Sequence, residues 1–402
     1  MQITKIALAA AVTLVAAQAQ AATVYLAGAS ATATNYVAAL TTLCTGNAGT
    51  VTNLGSGNVF AVKCSKNFKN IAGVDAVSFN VGGGSFTAIT TSAGTATADF
   101  INPAASTTSS LVMTGARSSE GGFLDIDGGA FSADDLAAAG LSASPATAPA
   151  SFSQVFGVAV SPALYTALQS AQGLAGCGID SLSAACQPNI TKAQYTSIVN
   201  DTFNTAKQDI SAILGVGAAG DMLTVCRRVS TSGTQASSNQ YFLNGFVGAD
   251  GANGGALVPA DAANYATANS GLTSYDVQEG EGTANARTCL SGTGYAVGVL
   301  SLENAPDLTT RSGGQRADRK WRFVKVNGVN AWAAGANHTD TAKNGSYDFW
   351  FTSHKYGHTT NGAAVVNAID TELSTGLQRA GLFDNATSPA QRGSNTSPVF
   401  FN

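Results

Sequence analysis

The pattern of apolar and polar residues repeats one kind of unit along the chain. A short apolar run at residues 23–27 is followed by a turn of small residues at 28–32, and then by Tyr36, Val37 and Leu40 at helical spacing. Short apolar runs between turns predict strands, whereas apolar residues three or four positions apart predict one face of a helix. Strand, turn and helix in this order predict an α/β fold.

Later segments repeat this pattern. Helices are predicted after Pro162, around Tyr241 and Phe246, and over residues 365–382. Further strands are predicted from apolar runs at residues 59–62, 74–79, 155–160, 223–226, 295–300 and 347–352.

Two segments predict how these units are connected. Pro145 and Pro149, which lie among Ala and Ser, indicate a crossover between two domains. Residues 321–326, with the turn at Asn327-Gly328, predict a hairpin.

The first residues have the three parts of a secretory signal peptide. Lys5 is followed by an apolar run over residues 6–17, broken only by Thr13, and then by the small residues Ala19 and Ala21 around Gln20. The apolar run is shorter than the ~20 residues that a spanning helix needs. We therefore expect residues 1–21 to be cleaved and the mature chain to lie in the periplasm or outside the cell, the alternative being an uncleaved anchor.

Six cysteines fit an oxidising compartment, where an even number predicts disulfides. The chain contains no Cys-x-x-Cys pair, which argues against a zinc or redox site. Order along the chain suggests one of the fifteen possible pairings, namely Cys44–Cys64, Cys177–Cys186 and Cys226–Cys289.

Charge is scarce. Charged residues make up 11% of the chain, against a usual ~25%, so the surface is built largely from small polar residues. Loss of the signal peptide, with one Lys and no acid, takes the net charge from −4 to −5. No basic stretch with interleaved aromatic residues predicts a nucleic-acid partner. A bound anion must therefore be held by local geometry rather than by overall charge.

Residues 227–234 lie between a predicted strand and a predicted helix. Free N–H groups and the helix dipole make a helix N-terminus a ready anion site. Arg228 can add a charge-assisted contact, Ser232 and Thr234 can donate hydroxyls, and Gly233 allows close approach of the backbone. The alternative is a Ser/Thr helix cap beside a surface Arg.

Two earlier turns have the same character. Ser30 and Thr32 follow the first strand, and Gly84 and Ser85 follow the strand predicted at 74–79. Singly, each turn could be only a helix cap, with Ser30 or Thr32 as the capping residue. Together, three such turns could converge on one ligand at the carboxyl ends of the strands.

These turns resemble those of the phosphate-binding periplasmic proteins of ABC transporters, within the type II periplasmic binding fold. Residues 28–32 are similar to that family's opening motif, whose Thr contacts phosphate, and residues 228–234 match its Arg-x-x-x-Ser-Gly-Thr loop at the same spacing. Residues 77–85 are similar to its second loop, with either Gly84 or Ser85 at the ligand position. The resemblance implies a set of ligand-binding residues: Ser30, Thr32, Ser85, Asp127, Arg228, Ser232, Gly233 and Thr234.

One departure from the family concerns an Asp that accepts the proton of a protonated phosphate. The matching register places Ala130, Phe131 or Ser132 there, and Asp127 is an out-of-register substitute. An Asp acceptor selects hydrogen phosphate, because it repels a fully ionised oxyanion. Which oxyanion the chain binds is therefore left open.

The resemblance implies two α/β lobes that close on a ligand in the cleft between them. Residues 22–145 and 300–402 are predicted to form lobe one, and residues 146–299 lobe two. The implied function is that of a monomeric periplasmic solute-binding protein, without cofactor, metal or catalytic activity, that delivers inorganic phosphate or a similar oxyanion to the membrane subunits of an ABC permease. Two alternatives remain: a secreted phosphatase-like protein of the same fold, and a non-transport extracellular or adhesin protein that has kept the fold.

Two weaker motifs point to metals. His354 and His358 are four residues apart, which would suit a metal on a helix, but the aromatic residues before them and Gly357 favour strand and loop with exposed His. Residues 125–128 resemble the start of a calcium loop without its later ligands.

Overall fold

The computed structural model describes residues 22–104, 111–174, 176–200, 209–244, 275–332, 338–375 and 380–401. The predicted signal peptide at residues 1–21 lies outside these residues, as does Phe246. No helix within the described ranges is both long and apolar enough to cross a membrane.

Helices and strands alternate along much of the described chain. The helices are α1 (Ala33–Thr45), α2 (Ser85–Ser92), α3 (Ala133–Ala138), α4 (Pro162–Ala171), α5 (Lys192–Val199), α6 (Ile210–Leu214), α7 (Gly233–Leu243), α8 (Thr283–Leu290), α9 (Asp340–Lys343) and α10 (Thr360–Thr375). The strands are β1 (Ala22–Gly28), β2 (Val51–Ser56), β3 (Val59–Cys64), β4 (Val74–Asn80), β5 (Ala98–Ile101), β6 (Val112–Arg117), β7 (Gly121–Leu124), β8 (Ala148–Val160), β9 (Asn189–Ile190), β10 (Leu223–Arg228), β11 (Tyr275–Gly280), β12 (Tyr295–Ser301), β13 (Arg322–Phe323), β14 (Lys325–Val326), β15 (Trp350–Gly357), β16 (Leu382–Asp384), β17 (Ala390–Arg392) and β18 (Val399–Phe401). Each strand predicted from an apolar run overlaps one of these.

One mixed sheet runs through the molecule in the order β11-β10-β12-β8-β15-β7-β1-β4-β3-β2. In the first lobe β1 pairs in parallel with β4 and β7, and in the second β10 pairs in parallel with β11 and β12. Strand β8 joins the lobes, because its first part pairs with β15 and its last residues pair with β12. The predicted α/β class and two-lobe arrangement are confirmed.

Helices cover the parallel strands, which explains their nearly continuous apolar sequences. Val24 and Leu26 of β1 are fully buried. Tyr36 of α1 stacks against Phe79 and Phe123, with ring centroids 5.1 Å from each. This packing fixes the start of α1, and with it the turn at residues 29–32, against the end of β1.

The segment between β12 and β15 packs with the second lobe. Strand β13 pairs with β8 opposite Ala159 and Val160, and the side chains of Trp321 and Phe323 share a core with Val158. Strand β15, which begins at Trp350, is paired with β7 of the first lobe. These contacts favour a return to the first lobe near Trp350, later than the predicted residue 300.

The hairpin predicted at Asn327-Gly328 is present as a short one: Val326 and Val329 form an antiparallel bridge and exchange two backbone hydrogen bonds of 3.0 Å. The rest of its first arm pairs elsewhere, β13 with β8 and β14 with β9. The turn itself is present, since Asn327 and Gly328 both have positive φ, +51° and +81°. At Ala159 and Val160, β13 pairs with the edge of β8 that does not face β12.

The C-terminal helix is shorter than predicted. Helix α10 is described over Thr360–Thr375, and Leu382, predicted to lie in it, begins β16, which pairs with β8. Gly381 precedes this strand with φ +75°, a left-handed conformation that does not continue a helix.

The three disulfides are those suggested by chain order, Cys44–Cys64, Cys177–Cys186 and Cys226–Cys289. Cys226 lies in β10 and Cys289 in α8. This third bridge therefore ties the strand that ends at Arg228 to the helix that follows β11.

We expect loss of the Cys226–Cys289 bridge to be the most costly of the disulfide losses. The bridge closes a separation of 63 residues, against 9 for Cys177–Cys186, and closing a longer loop removes more entropy from the unfolded chain. Paired Cys→Ser variants should lose about 4 kcal/mol for the long loop and about 2.5 kcal/mol for the short one. Guanidinium denaturation without reductant measures both, and a larger loss from the short loop would contradict the expectation.

Candidate functional site

Loops at the carboxyl ends of parallel strands meet between the two lobes. The amide of Phe86, after β4, donates to the carbonyl of Thr231, after β10, at 3.2 Å. Arg228 Nη1 donates to Ser30 Oγ, after β1, at 3.0 Å. Ligands of open α/β sheets bind at this edge. We call the residues that these loops bring together the interlobe cluster: Ser30, Thr32, Ser85, Asp125, Arg228, Ser232, Gly233 and Thr234.

Arg228 is the central cation of this cluster. Its side chain is buried, and it donates from Nη1 to Ser30 Oγ and Thr283 Oγ1, at 3.0 and 3.1 Å, and from Nε to the Gly280 carbonyl at 3.2 Å. Nη2 donates to the carbonyl of Glu281. Burial lowers the pKa of Arg228 to about 10, so the group stays charged at neutral pH. These contacts use four of the five guanidinium donors and leave one N–H of Nη2.

Asp125 is the carboxylate of the cluster, and it follows directly after β7. It is 1% exposed; its amide donates to Ser85 Oγ at 3.0 Å, and Thr234 Oγ1 donates to its Oδ2 at 3.4 Å. Its Oδ1 is buried without a hydrogen-bond partner. Burial raises the pKa of Asp125 to about 7, although the charge of Arg228 opposes the shift. The group can therefore exchange a proton near neutral pH.

Thr32 and Ser232 occupy the N-cap positions of α1 and α7, yet neither side chain caps its helix. Ser232 Oγ is buried with no hydrogen-bond partner among the described residues, and Thr32 Oγ1 is buried beside the hydroxyl of Tyr36. Elsewhere Ser161 and Thr191 make the ordinary cap bonds, to the amides of residues 164 and 194. The capping alternative is thus wrong for Thr32 and Ser232, because neither hydroxyl accepts a hydrogen bond from a backbone amide of its helix.

Two glycines allow the loops to come this close. Gly84 has φ +66° and ψ −146°, which side chains rarely adopt, and a Cβ there would lie 3.2 Å from Ser232 Cα. A Cβ on Gly233 would lie 2.1 Å from Ser85 Oγ and 2.7 Å from Asp125 Oδ2. Because Gly233 has no side chain, the Ser85 hydroxyl and the Asp125 carboxylate can pack against the start of α7.

Gly233→Ala should disturb this arrangement directly. The added methyl group cannot coexist with Ser85 and Asp125 in place, so we expect a loss of about 1–3 kcal/mol in unfolding free energy and weaker anion binding. Gly294→Ala is the matched control, because a Cβ there meets nothing within 4 Å. Urea denaturation and calorimetric titration measure both effects, and identical behaviour of the two variants would contradict the role of Gly233.

The sequence prediction and the structure differ at the carboxylate. Asp127 does not join the interlobe cluster: its side chain is exposed and accepts from the Gly129 amide at 2.9 Å. Ser132, one of the in-register candidates, caps α3 through the Asp135 amide. Asp125 lies in the cluster instead. Its signal in the sequence was the apolar run of β7 directly before it, which places it at the carboxyl end of a strand.

The remaining predicted residues come together. Ser30 binds Arg228, and Thr32 lies on the same turn two residues later. At the second turn it is Ser85, at the first position of α2, that contacts Asp125, while Gly84 supplies the backbone conformation.

The histidines follow the predicted strand and loop, but His354 is not exposed. It is buried in β15, where its Nδ1 lies 3.0 Å from Thr147 Oγ1, and burial lowers its pKa. His358 lies beyond the strand and is exposed. Within the described residues, no group of three or more His, Cys, Asp or Glu side chains could hold a metal ion.

Comparisons with known proteins find similarity among solved structures. No protein-family model and no curated protein matches the chain. The chain is similar to a structure described as a phosphate ABC transporter substrate-binding protein with bound phosphate, from Clostridium perfringens (14% identity, TM-score 0.45, covering 87% of this chain and 93% of that chain). It is also similar to two structures of phosphate-binding protein from Stenotrophomonas maltophilia, at 16% and 15% identity and TM-scores of 0.42, covering 90% and 88% of this chain and 86% and 84% of those. Function is therefore inferred from the interlobe cluster itself.

Proposed function

We propose that the chain captures a small inorganic oxyanion, phosphate first, between its two lobes, as a periplasmic solute-binding protein that delivers it to an ABC permease. One observation carries the proposal: the hydroxyls of Ser232, in the loop that follows Arg228, and of Thr32, in the turn whose Ser30 binds Arg228, are both buried, and among the described residues Ser232 Oγ has no partner while Thr32 Oγ1 has only Tyr36 Oη. An unpaired buried hydroxyl costs free energy unless a partner satisfies it. An oxyanion would satisfy both hydroxyls, because each can donate to it.

The other members of the cluster extend this chemistry. Helices α2 and α7 begin at Ser85 and Gly233, and the N–H groups of these first residues have no acceptor within the helix, whereas the next amide of α2, that of Phe86, donates to the Thr231 carbonyl. These groups and the positive ends of the helix dipoles favour an anion. The free N–H of Arg228 adds a charge-assisted donor. In this proposal nearly every ligand oxygen meets a donor, as burial of a charged anion demands.

Asp125 would provide selectivity. An ionised carboxylate accepts the proton of hydrogen phosphate, whereas it repels an oxyanion that brings no proton. Its buried Oδ1 has no hydrogen-bond partner in the part of the chain that the structure describes. Phosphate and arsenate would therefore bind better than sulfate above the pKa of Asp125.

Release of the ligand would require the lobes to separate. The Arg228–Ser30 and Phe86–Thr231 hydrogen bonds join loops of different lobes. Opening would break these two contacts while leaving the sheet of each lobe intact, which is a hinge motion. Strand β8, shared by both lobes, is where the hinge is expected.

Calorimetric titration of the purified mature chain with phosphate, arsenate and sulfate tests the proposal. We expect micromolar binding of phosphate and arsenate at pH 8 and much weaker binding of sulfate. Absence of binding to all three would contradict it and support the non-transport alternative. Release of product from a chromogenic phosphate ester, absent from an Arg228→Ala control, would support the phosphatase-like alternative instead.

A further inference from the structure

A fourth loop, between β11 and α8, also meets Arg228. The guanidinium donates to the Gly280 carbonyl at 3.2 Å, to Thr283 Oγ1 at 3.1 Å, and to the carbonyl of Glu281. None of these three residues was predicted from the sequence to lie in the site. Among the described residues, this loop therefore provides three of the four acceptors of the Arg228 side chain, and Ser30 provides the fourth.

Local structure holds this loop beside Arg228. Gly280, the last residue of β11, is paired with Arg228 in the parallel ladder of β10 and β11. Thr283 is the first residue of α8, and the disulfide Cys226–Cys289 ties α8 to β10. The start of α8 is thus fixed by backbone and covalent contacts to the strand that carries Arg228.

The hydroxyls of Ser30 and Thr283 form a pair across the two lobes. Ser30 belongs to the first lobe and Thr283 to the second, and their oxygens lie 3.2 Å apart. Each oxygen already accepts a hydrogen bond from Arg228 Nη1. The bond between the two hydroxyls uses one of their two protons, because each hydroxyl carries one. Neither hydroxyl has another hydrogen-bond partner among the described residues, so one proton of the pair is left to donate.

This remaining proton suits an anion. Ser30 and Thr283 are both partly exposed, whereas Arg228 is 2% exposed. A hydroxyl whose oxygen accepts from a guanidinium becomes a stronger donor, because hydrogen bonds in a chain polarise one another. The hydroxyl pair can thus extend the effect of the buried charge to a ligand, although four of the five guanidinium donors are already used within the chain.

We propose that Thr283 is a further ligand-binding residue, which shares with Ser30 a single hydroxyl donor to the oxyanion, and that residues 280–283 form a fourth loop of the site. This inference rests on the proposed oxyanion function and adds to it a donor from the second lobe. Either hydroxyl can supply the proton, because the direction of the bond between the two can reverse. Loss of one hydroxyl therefore leaves a donor, whereas loss of both removes it.

Single and double variants test the inference by calorimetric titration with inorganic phosphate at pH 8. Ser30→Ala and Thr283→Val should each weaken binding by about threefold, since each removes one neutral hydrogen bond but leaves one free hydroxyl. The double variant should weaken binding by at least about tenfold more than the product of the two single losses, because it also removes a charge-assisted donor. Thr283→Ser keeps the hydroxyl and should bind as the unmodified chain does.

Thr288→Val is the matched control, because Thr288 is exposed and lies further along the same helix. It should change binding neither alone nor when combined with Ser30→Ala. Urea denaturation checks that each variant is folded, and Thr283→Ala takes the place of Thr283→Val if the valine variant is not.

Three results would overturn the inference. If the two hydroxyls donate separately, the single losses simply multiply in the double variant. If the pair only holds the lobes together, either single variant breaks the contact, and the double variant loses no more than the larger single loss. Both results leave the oxyanion function standing, whereas absence of phosphate, arsenate and sulfate binding by the unmodified chain overturns both proposals.

Discussion

We expect Arg228→Ala to reduce oxyanion affinity by at least about a hundredfold, since charge-assisted hydrogen bonds to a buried group are each worth about 1.5–3 kcal/mol. The variant removes the central cation of the interlobe cluster together with the donors that hold Ser30 and Thr283 in place. Both the attraction for the anion and the contact between the lobes are lost. Calorimetric titration with phosphate measures the effect.

The neighbouring residue provides a matched control. Arg227 precedes Arg228 in β10, and because side chains alternate along a strand it points to the other face, where its Nε lies 2.9 Å from Glu279 Oε2. Arg227→Ala removes the same charge from the same strand and should leave phosphate binding nearly unchanged. Equal losses in the two variants would show that overall charge, not the cluster, governs binding.

Arg228→Ala should also destabilise the chain, by about 1–3 kcal/mol at pH 8, because it leaves the hydrogen-bond partners of the buried guanidinium unpaired and removes the positive charge that favours the ionised form of buried Asp125. At pH 5 the loss should be smaller, since Asp125 is then protonated and needs no counter-charge. Urea denaturation at the two pH values separates this electrostatic part from the loss of packing. A loss that does not depend on pH would contradict the electrostatic interaction between Arg228 and Asp125.

Asp125→Asn should weaken the binding of phosphate and strengthen the binding of sulfate. The amide offers a donor where the carboxylate offers only acceptors, so a fully ionised oxyanion is no longer repelled. We expect phosphate affinity at pH 8 to fall about tenfold or more, and sulfate to bind measurably. Competition between phosphate and sulfate in one titration measures this preference. Asp127→Asn is the control, because Asp127 lies outside the cluster. An equal effect of that variant would contradict the assignment of the proton acceptor to Asp125.

The same variant should change how stability depends on pH. Burial raises the pKa of Asp125 to about 7 in the folded chain, from its ordinary value of 3.8, so between these pH values the folded state holds a proton that the unfolded state has released. Stability present below pH 4 is therefore lost as pH rises towards 7, by up to about 4 kcal/mol. Asp125→Asn lacks this loss, so its stability relative to the unmodified chain should rise between pH 4 and 7. A difference that stays constant over this range would contradict the raised pKa.

The alternation of short apolar runs, small-residue turns and helical spacing was sufficient to predict the α/β class and most strands. Such patterns work because they depend on neighbours in sequence: a buried strand in a covered sheet must be apolar along its length. The loop from Arg228 to Thr234 was recognisable for the same reason, since its residues share one turn. The disulfide pairing also followed chain order, and the structure has the same three pairs.

What sequence could not determine depends on residues far apart in the chain. Whether Thr32 and Ser232 cap their helices is settled by the loops packed against them, and local pattern alone favours capping. The pairing of Phe323 with Ala159 of β8 could not be predicted either, because β8 lies long before Phe323 in sequence.

The carboxylate of the cluster shows most clearly what the sequence determines and what depends on the tertiary structure. By itself the sequence determined that strand ends rich in Ser, Thr and Gly would present an anion-holding turn, because helix N-termini and small residues create one locally. Only the tertiary structure decided that Asp125, not Asp127, lies in the interlobe cluster with Ser85 and Thr234, because that choice depends on where β7 ends relative to β10 across the two lobes. Burial and the charge of Arg228 then set the pKa of Asp125, and neither can be inferred from the residues next to Asp125 in the sequence.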